Sequence, residues 1–136
     1  MLRKGFTLLE VLIVVIIIGI LSSIALPQYF STLEKARSGE AVTNVGAVRM
    51  ALDRYWYQNG SATADLDLLD IGNPNDITNK LYSYSVVDDG TDAGTRMYTV
   101  TATRTIGTTD YWVKWTQTDN NTGVLTKSTT LGGSGE

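Results

Sequence analysis

Apolar positions in this chain are concentrated at one end. Val11 to Leu21 is an unbroken run of Val, Leu, Ile and one Gly, and the 21 residues from Phe6 to Leu26 carry a single charge, Glu10. About 20 apolar residues at 1.5 Å each cross a bilayer core of roughly 30 Å, so this segment predicts a membrane-spanning helix. Beyond Pro27 the period changes. Ala41, Val45, Val48, Leu52 and Tyr55 follow at intervals of 4, 3, 4 and 3, which is one stripe of an amphipathic helix. Glu34, Arg37, Glu40 and Arg49 fit its polar side, and Gly39 and Gly46 weaken it slightly. Asn59-Gly60 is a stop signal. From Phe6 that makes 54 residues of helix, a rod of roughly 80 Å.

The C-terminal part reads as a loop and then a sheet. Ser61 to Lys80 is rich in Asp and Asn, with Leu66, Leu68, Leu69 and Ile71 expected to pin it down. Leu81 to Val87 alternates Tyr82, Tyr84 and Val86 against Ser83 and Ser85. Arg96 to Thr105 alternates Tyr98, Val100 and Ala102 against threonines, Asp110 to Thr118 holds Tyr111, Val113 and Trp115, and Val124 to Ser128 gives a fourth strand. Asp88-Asp89-Gly90, Ile106-Gly107 and Asn121 to Gly123 supply the turns of an antiparallel meander. The fold class is therefore α+β: a long N-terminal helix, half membrane-spanning and half amphipathic, packed on a meander of three to four strands. The expected division is 1–5 leader, 6–27 transmembrane half, and 28–136 head, with helix 28–59, loop 60–80, sheet 81–130 and mobile tail 131–136.

Composition narrows the function. The 136 residues allow one modest domain. With no Cys there are no disulfides, thiolate metal sites or Cys nucleophile, and with no His the commonest general base and metal ligand are missing. Net charge is −3, and the chain from Phe6 onward holds 9 basic and 14 acidic residues, so no nucleic-acid partner is expected. The Asp65 to Asp76 loop and Asp88-Asp89-Gly90-Thr91-Asp92 lack EF-hand spacing and read as solvated turns rather than calcium sites. Tyr55, Trp56, Tyr57, Tyr111, Trp112 and Trp115 read as core, with sugar binding or stacking in a filament as the other uses. No catalytic residue, metal site or cofactor is assigned.

Three readings compete for the N-terminal segment: a secretory signal, with Ser22, Ser23 and Ala25 faintly imitating a cleavage site; a plain anchor; and a buried core helix, for which the remaining sequence is too polar. Arg3 and Lys4 would stay cytoplasmic and the C-terminal body would face outward. Glu10 is costly in lipid. Either it lies near head groups and the positive helix end, or it awaits a cation. A cut before Phe6 would create one, the new α-amine, four residues away on the same helix face.

Gly5-Phe6-Thr7-Leu8-Leu9-Glu10, behind Arg3-Lys4 and ahead of the apolar run, resembles the class III signal of type IV prepilins and pseudopilins. The resemblance extends over about the first 30 residues, Gly19 and Pro27 included. It implies cleavage between Gly5 and Phe6 by a membrane aspartic peptidase, N-methylation of Phe6, and a mature chain that keeps its apolar segment. It further implies that Glu10 pairs with the N-terminal amine of a neighbouring subunit. The stretch from Gly19 to Pro27 would lose helical order in filaments; by itself, Pro27 reads as a tolerated kink that leaves the Ser23 carbonyl without its helix partner. The implied partners are identical subunits, a prepilin peptidase and methyltransferase, an inner-membrane assembly platform and, before assembly, the lipid bilayer. The leading expectation is a subunit of an extracellular type IV pilus, starting as a single-pass inner-membrane precursor. The alternative is a type II secretion pseudopilin in a periplasmic filament, and a minor tip subunit for adhesion or DNA uptake is more remote.

Overall fold

The computed structural model describes residues 5–90 and 94–133. Arg3, Lys4, Thr91, Asp92 and the end of the expected tail lie outside the described residues. The chain divides into two compact units, Met1–Glu34 and Lys35–Glu136, and one helix, α1 (Leu8–Asn59), contributes to both.

In the first unit the side chains of α1 from Val11 to Leu26 are exposed almost throughout. A helix rich in Val and Ile is not favoured in water by propensity. In lipid it is, because every backbone polar group must be satisfied within the segment. α1 contains a window with a mean hydropathy of 2.8, and it is long and apolar enough to cross a membrane. Tyr29 and Phe30 follow Pro27, edge to face with centroids 5.9 Å apart, and both are exposed.

In the second unit the stripe read from the sequence faces inward. Ala41, Val45, Val48 and Leu52 are buried, joined by Ala51, and Tyr55 is partly buried against them. Glu34, expected on the polar side, is 7% exposed. The helix ends where Gly60, at φ +71°, sends its N–H back to the Trp56 carbonyl at 2.8 Å.

Four strands follow, β1 (Ser83–Asp88), β2 (Tyr98–Ile106), β3 (Thr109–Gln117) and β4 (Gly123–Lys127), antiparallel and in the order β1-β2-β3-β4. The two-residue β2–β3 turn needs positive φ, and Gly107 supplies it at +63°. Alternation sends Tyr84, Val86, Tyr98, Val100, Ala102 and Val113 into one core with the α1 stripe. Each of the valines contributes about 1.5–3 kcal/mol by leaving water.

The loop before β1 is more ordered than its composition suggests. It forms two 3-10 turns, Leu66–Leu68 and Pro74–Asp76, capped by Asp65, which accepts the Asp67 N–H, and by Asn73, which accepts the Asn75 N–H. Leu66 and Leu69 are buried as expected, but Leu68 points outward, because a 3-10 turn gives adjacent leucines different faces. Asn75 accepts the Tyr84 N–H at 2.9 Å and donates to the Tyr84 carbonyl at 2.7 Å. Leu131, expected at the start of a mobile tail, is instead part of the folded head. Leu131 sits in a third 3-10 turn, Thr129–Leu131, and is buried with the core because the turn folds back on β3 through Ser128, whose N–H reaches the Trp112 carbonyl at 3.0 Å.

Candidate processing and assembly site

The start of α1 is set by a short sequence pattern. Thr7 stands just before the helix, and its Oγ1 accepts the Glu10 N–H at 3.2 Å. Glu10 Oε2 in return accepts the Thr7 N–H at 2.8 Å and the Thr7 hydroxyl at 2.9 Å. This is a reciprocal capping box, which satisfies donors that a helix N-terminus otherwise leaves open. The sequence reading did not assign Thr7 a role; the signal was Thr-x-x-Glu ahead of an apolar run.

Gly5 and Phe6 lie outside the helix and are exposed, Phe6 at 89%. A Cβ built on Gly5 meets no atom within 4 Å, so nothing among the described residues demands glycine there. Phe6 and Glu10 border the same apolar surface with Val11, Ile13 and Val14. Gly19 and Pro27 are far from this cluster in sequence, and both lie within continuous helix. A Cβ on Gly19 also meets nothing.

Residues 1–26 match the family described as the prokaryotic N-terminal methylation motif. The chain carries a prepilin-type methylation motif. It is similar to proteins of two kinds. Type II secretion system core protein G of Vibrio cholerae is 49% identical over 57 residues, and that of Escherichia coli 42% over 57 residues, which is 42% of this chain and 39% of either relative. The type IV major fimbrial protein FimA of Dichelobacter nodosus is 44% identical over 52 residues, 38% of this chain and 33% of the relative. The chain thus matches about two fifths or less of these curated relatives. No solved structure matches it. A prepilin-type motif leading into an exposed apolar helix fits a membrane-anchored precursor, and the α+β layout of the whole chain is pilin-like.

The other candidate residues have structural employment. Asp65 caps a turn, and Asp70 receives two hydrogen bonds from Arg54 at 2.6 and 2.7 Å. Trp115 lies under the Arg49 guanidinium, 4.0 Å from its centroid, and Tyr55 and Tyr111 pack on the core. Tyr57 is exposed, and Trp112 is on the sheet face opposite the core, so the core reading fails for these two.

Proposed function

We propose that this chain is a structural, non-catalytic subunit of a type IV pilus filament, made as a prepilin and assembled through its N-terminal helix. The observation that carries the reading is the junction at Gly5-Phe6: two exposed residues directly ahead of a capped helix whose apolar side chains from Val11 to Leu26 are exposed. Cleavage there releases residues 1–5 and gives Phe6 a free amine, the substrate for N-methylation. The mature helix 6–27 stays in the inner membrane until it is withdrawn into a bundle of identical helices. The peptidase and methyltransferase, the assembly platform and neighbouring copies are the partners this requires.

In such a bundle Glu10 leaves the head-group zone, and a carboxylate away from water must be paired. The Phe6 amine of the next subunit supplies the cation. A subunit placed one step wrong leaves both charges unmatched, so the pair sets register. Gly19 and Pro27 bracket the stretch that would yield most easily on packing, since Pro27 already forgoes one helix hydrogen bond.

The likeness to secretion core proteins supports a second reading, a pseudopilin of a periplasmic filament. The shared part of both readings is tested by N-terminal sequencing and mass spectrometry of the assembled protein. Phe-Thr-Leu-Leu-Glu with a methylated first residue is expected, and a mature start after Ala25 overturns both. Electron microscopy of intact cells separates them: surface filaments carrying this chain support the pilus, and their absence beside a periplasmic pool of assembled chain supports the pseudopilus.

A further inference from the structure

The sheet has a second face, turned away from the core. Strand alternation puts Thr99, Thr101 and Thr103 of β2 on it, paired across to Thr116, Lys114 and Trp112 of β3. Ser83 and Ser85 of β1 and Thr126 of β4 extend the same surface. Apart from the exposed Val87 and Val124 at its margins it is a field of hydroxyls, and among the described residues no buried apolar cluster lies on it for an indole to cover. Trp112 nevertheless stands in it, half-buried, lining a groove of about 430 Å³ with Thr101, Thr103, Asp110 and Lys114. The Lys114 ammonium is 5.3 Å from the Trp112 centroid. One Asp110 oxygen accepts the Thr105 hydroxyl at 2.7 Å.

We infer that this groove is a binding site for a neutral carbohydrate, with a pyranose ring stacked on Trp112 and its hydroxyls shared among Asp110, Lys114, Thr101 and Thr103. A sugar ring has an apolar C–H face and a rim of hydroxyls. An aromatic plate ringed by hydrogen-bonding groups is the complement of that shape, whereas a purely apolar ligand would displace water from those polar groups and return no hydrogen bond. The charges choose against ionic ligands. Asp110 and Lys114 cancel, so the groove has no excess of cations to hold a phosphate or a nucleic-acid strand. The volume falls within the range of roughly 300–1,000 Å³ for small-molecule sites. The inference does not depend on the filament reading, since the groove lies within one chain.

The test uses the full chain in a detergent without a sugar head group. A panel of neutral mono- and disaccharides (glucose, galactose, N-acetylglucosamine, maltose, lactose) is titrated against tryptophan fluorescence and by calorimetry. At least one should give a saturable response in the millimolar range. Trp112→Ala should weaken it about tenfold or more, as loss of a central aromatic contact does, with the melting curve unchanged. Asp110→Ala, at an exposed position, should weaken it several-fold, and it decides the matter if Trp112→Ala fails to fold. No saturable response across the panel overturns the inference. So does full binding by a folded Trp112→Ala or by Asp110→Ala, and so does tighter binding of inorganic phosphate than of any sugar.

Discussion

The Tyr98 hydroxyl, on β2, donates to Asp53 Oδ1, on α1, at 2.6 Å. Asp53 also meets Arg96 Nη1 at 3.4 Å and Arg49 Nε at 3.9 Å. Arg96 is itself buried and hydrogen-bonds Asn120, binding the turn before β4 into the same cluster. Tyr98→Phe removes a donor from a half-buried carboxylate. It should cost about 1–3 kcal/mol, read from urea unfolding of the purified protein.

The same contact gives an alkaline signature. Burial, and then the hydrogen bond to Asp53, push the Tyr98 phenol above its ordinary pKa of 10.0. Folding therefore favours the neutral phenol. That stability is fully present below about pH 10, where the unfolded phenol is also neutral, and is lost as pH rises further. Melting temperature should fall above pH 10 in the native protein, and less steeply in Tyr98→Phe. Equal slopes would remove Tyr98 as the titrating group.

Acid acts through a different residue. Asp119 accepts the Asn121 N–H at 2.7 Å and the Thr122 N–H at 2.6 Å, and these bonds hold its carboxyl below the usual range. Its contribution is present at neutral pH and lost as pH falls through the carboxylate range. Asp119→Ala should lower the melting temperature at pH 7 and shrink the fall seen between neutral pH and pH 3. The check is calorimetry across that window.

Gly123 is fixed by a neighbour. A Cβ there would lie 2.2 Å from Trp115 Cζ2 and 2.7 Å from Gln117 Oε1. The indole is a rigid ring already packed against the core, so it cannot swing clear cheaply. Gly123→Ala should cost about 1–3 kcal/mol, the usual range for overpacking, and should raise the solvent exposure of Trp115 in acrylamide quenching.

The capping box makes the proposed role of Glu10 separable from its local one. Gln at this position still accepts the Thr7 donors but carries no charge. Glu10→Gln should leave insertion and membrane-held subunit at native levels while filaments, counted by electron microscopy, fall sharply. Glu10→Leu loses both cap and charge and should assemble no better. Normal filament numbers in Glu10→Gln would assign the acid to the helix start alone.

Much of the architecture was legible because periodicity is a strong signal. The stripe from Ala41 to Leu52 and the alternations around Tyr84 and Val100 each report one buried face, and the structure buries those residues. Strand ends moved by a residue or two, since Leu81 and Tyr82 precede β1 and Thr109 opens β3. What stayed hidden were contacts without a period. Thr7 and Glu10 are three apart and were legible in principle. Asp53 with Tyr98, and Arg96 with Asn120, join residues 45 and 24 apart, and no local pattern reports them. Leu131 was lost among glycines, where composition outweighed one apolar residue. Trp112, expected in the core for its size, alternates with Tyr111 and Val113, and that alternation places it on the other face.

Asn75 has a consequence for how copies of this chain meet. Its side-chain amide takes both the N–H and the carbonyl of Tyr84, on the β1 side that has no strand partner. It imitates one residue of a missing strand. An incoming chain that tried to extend the sheet there would have to evict it, and would find Pro74 beside it offering no donor. At the opposite border β4 is only five residues long and is followed at once by the turn Thr129–Leu131. Runaway strand addition, the route from a crowded β-rich protein to amyloid, is thereby impeded at the borders of this sheet.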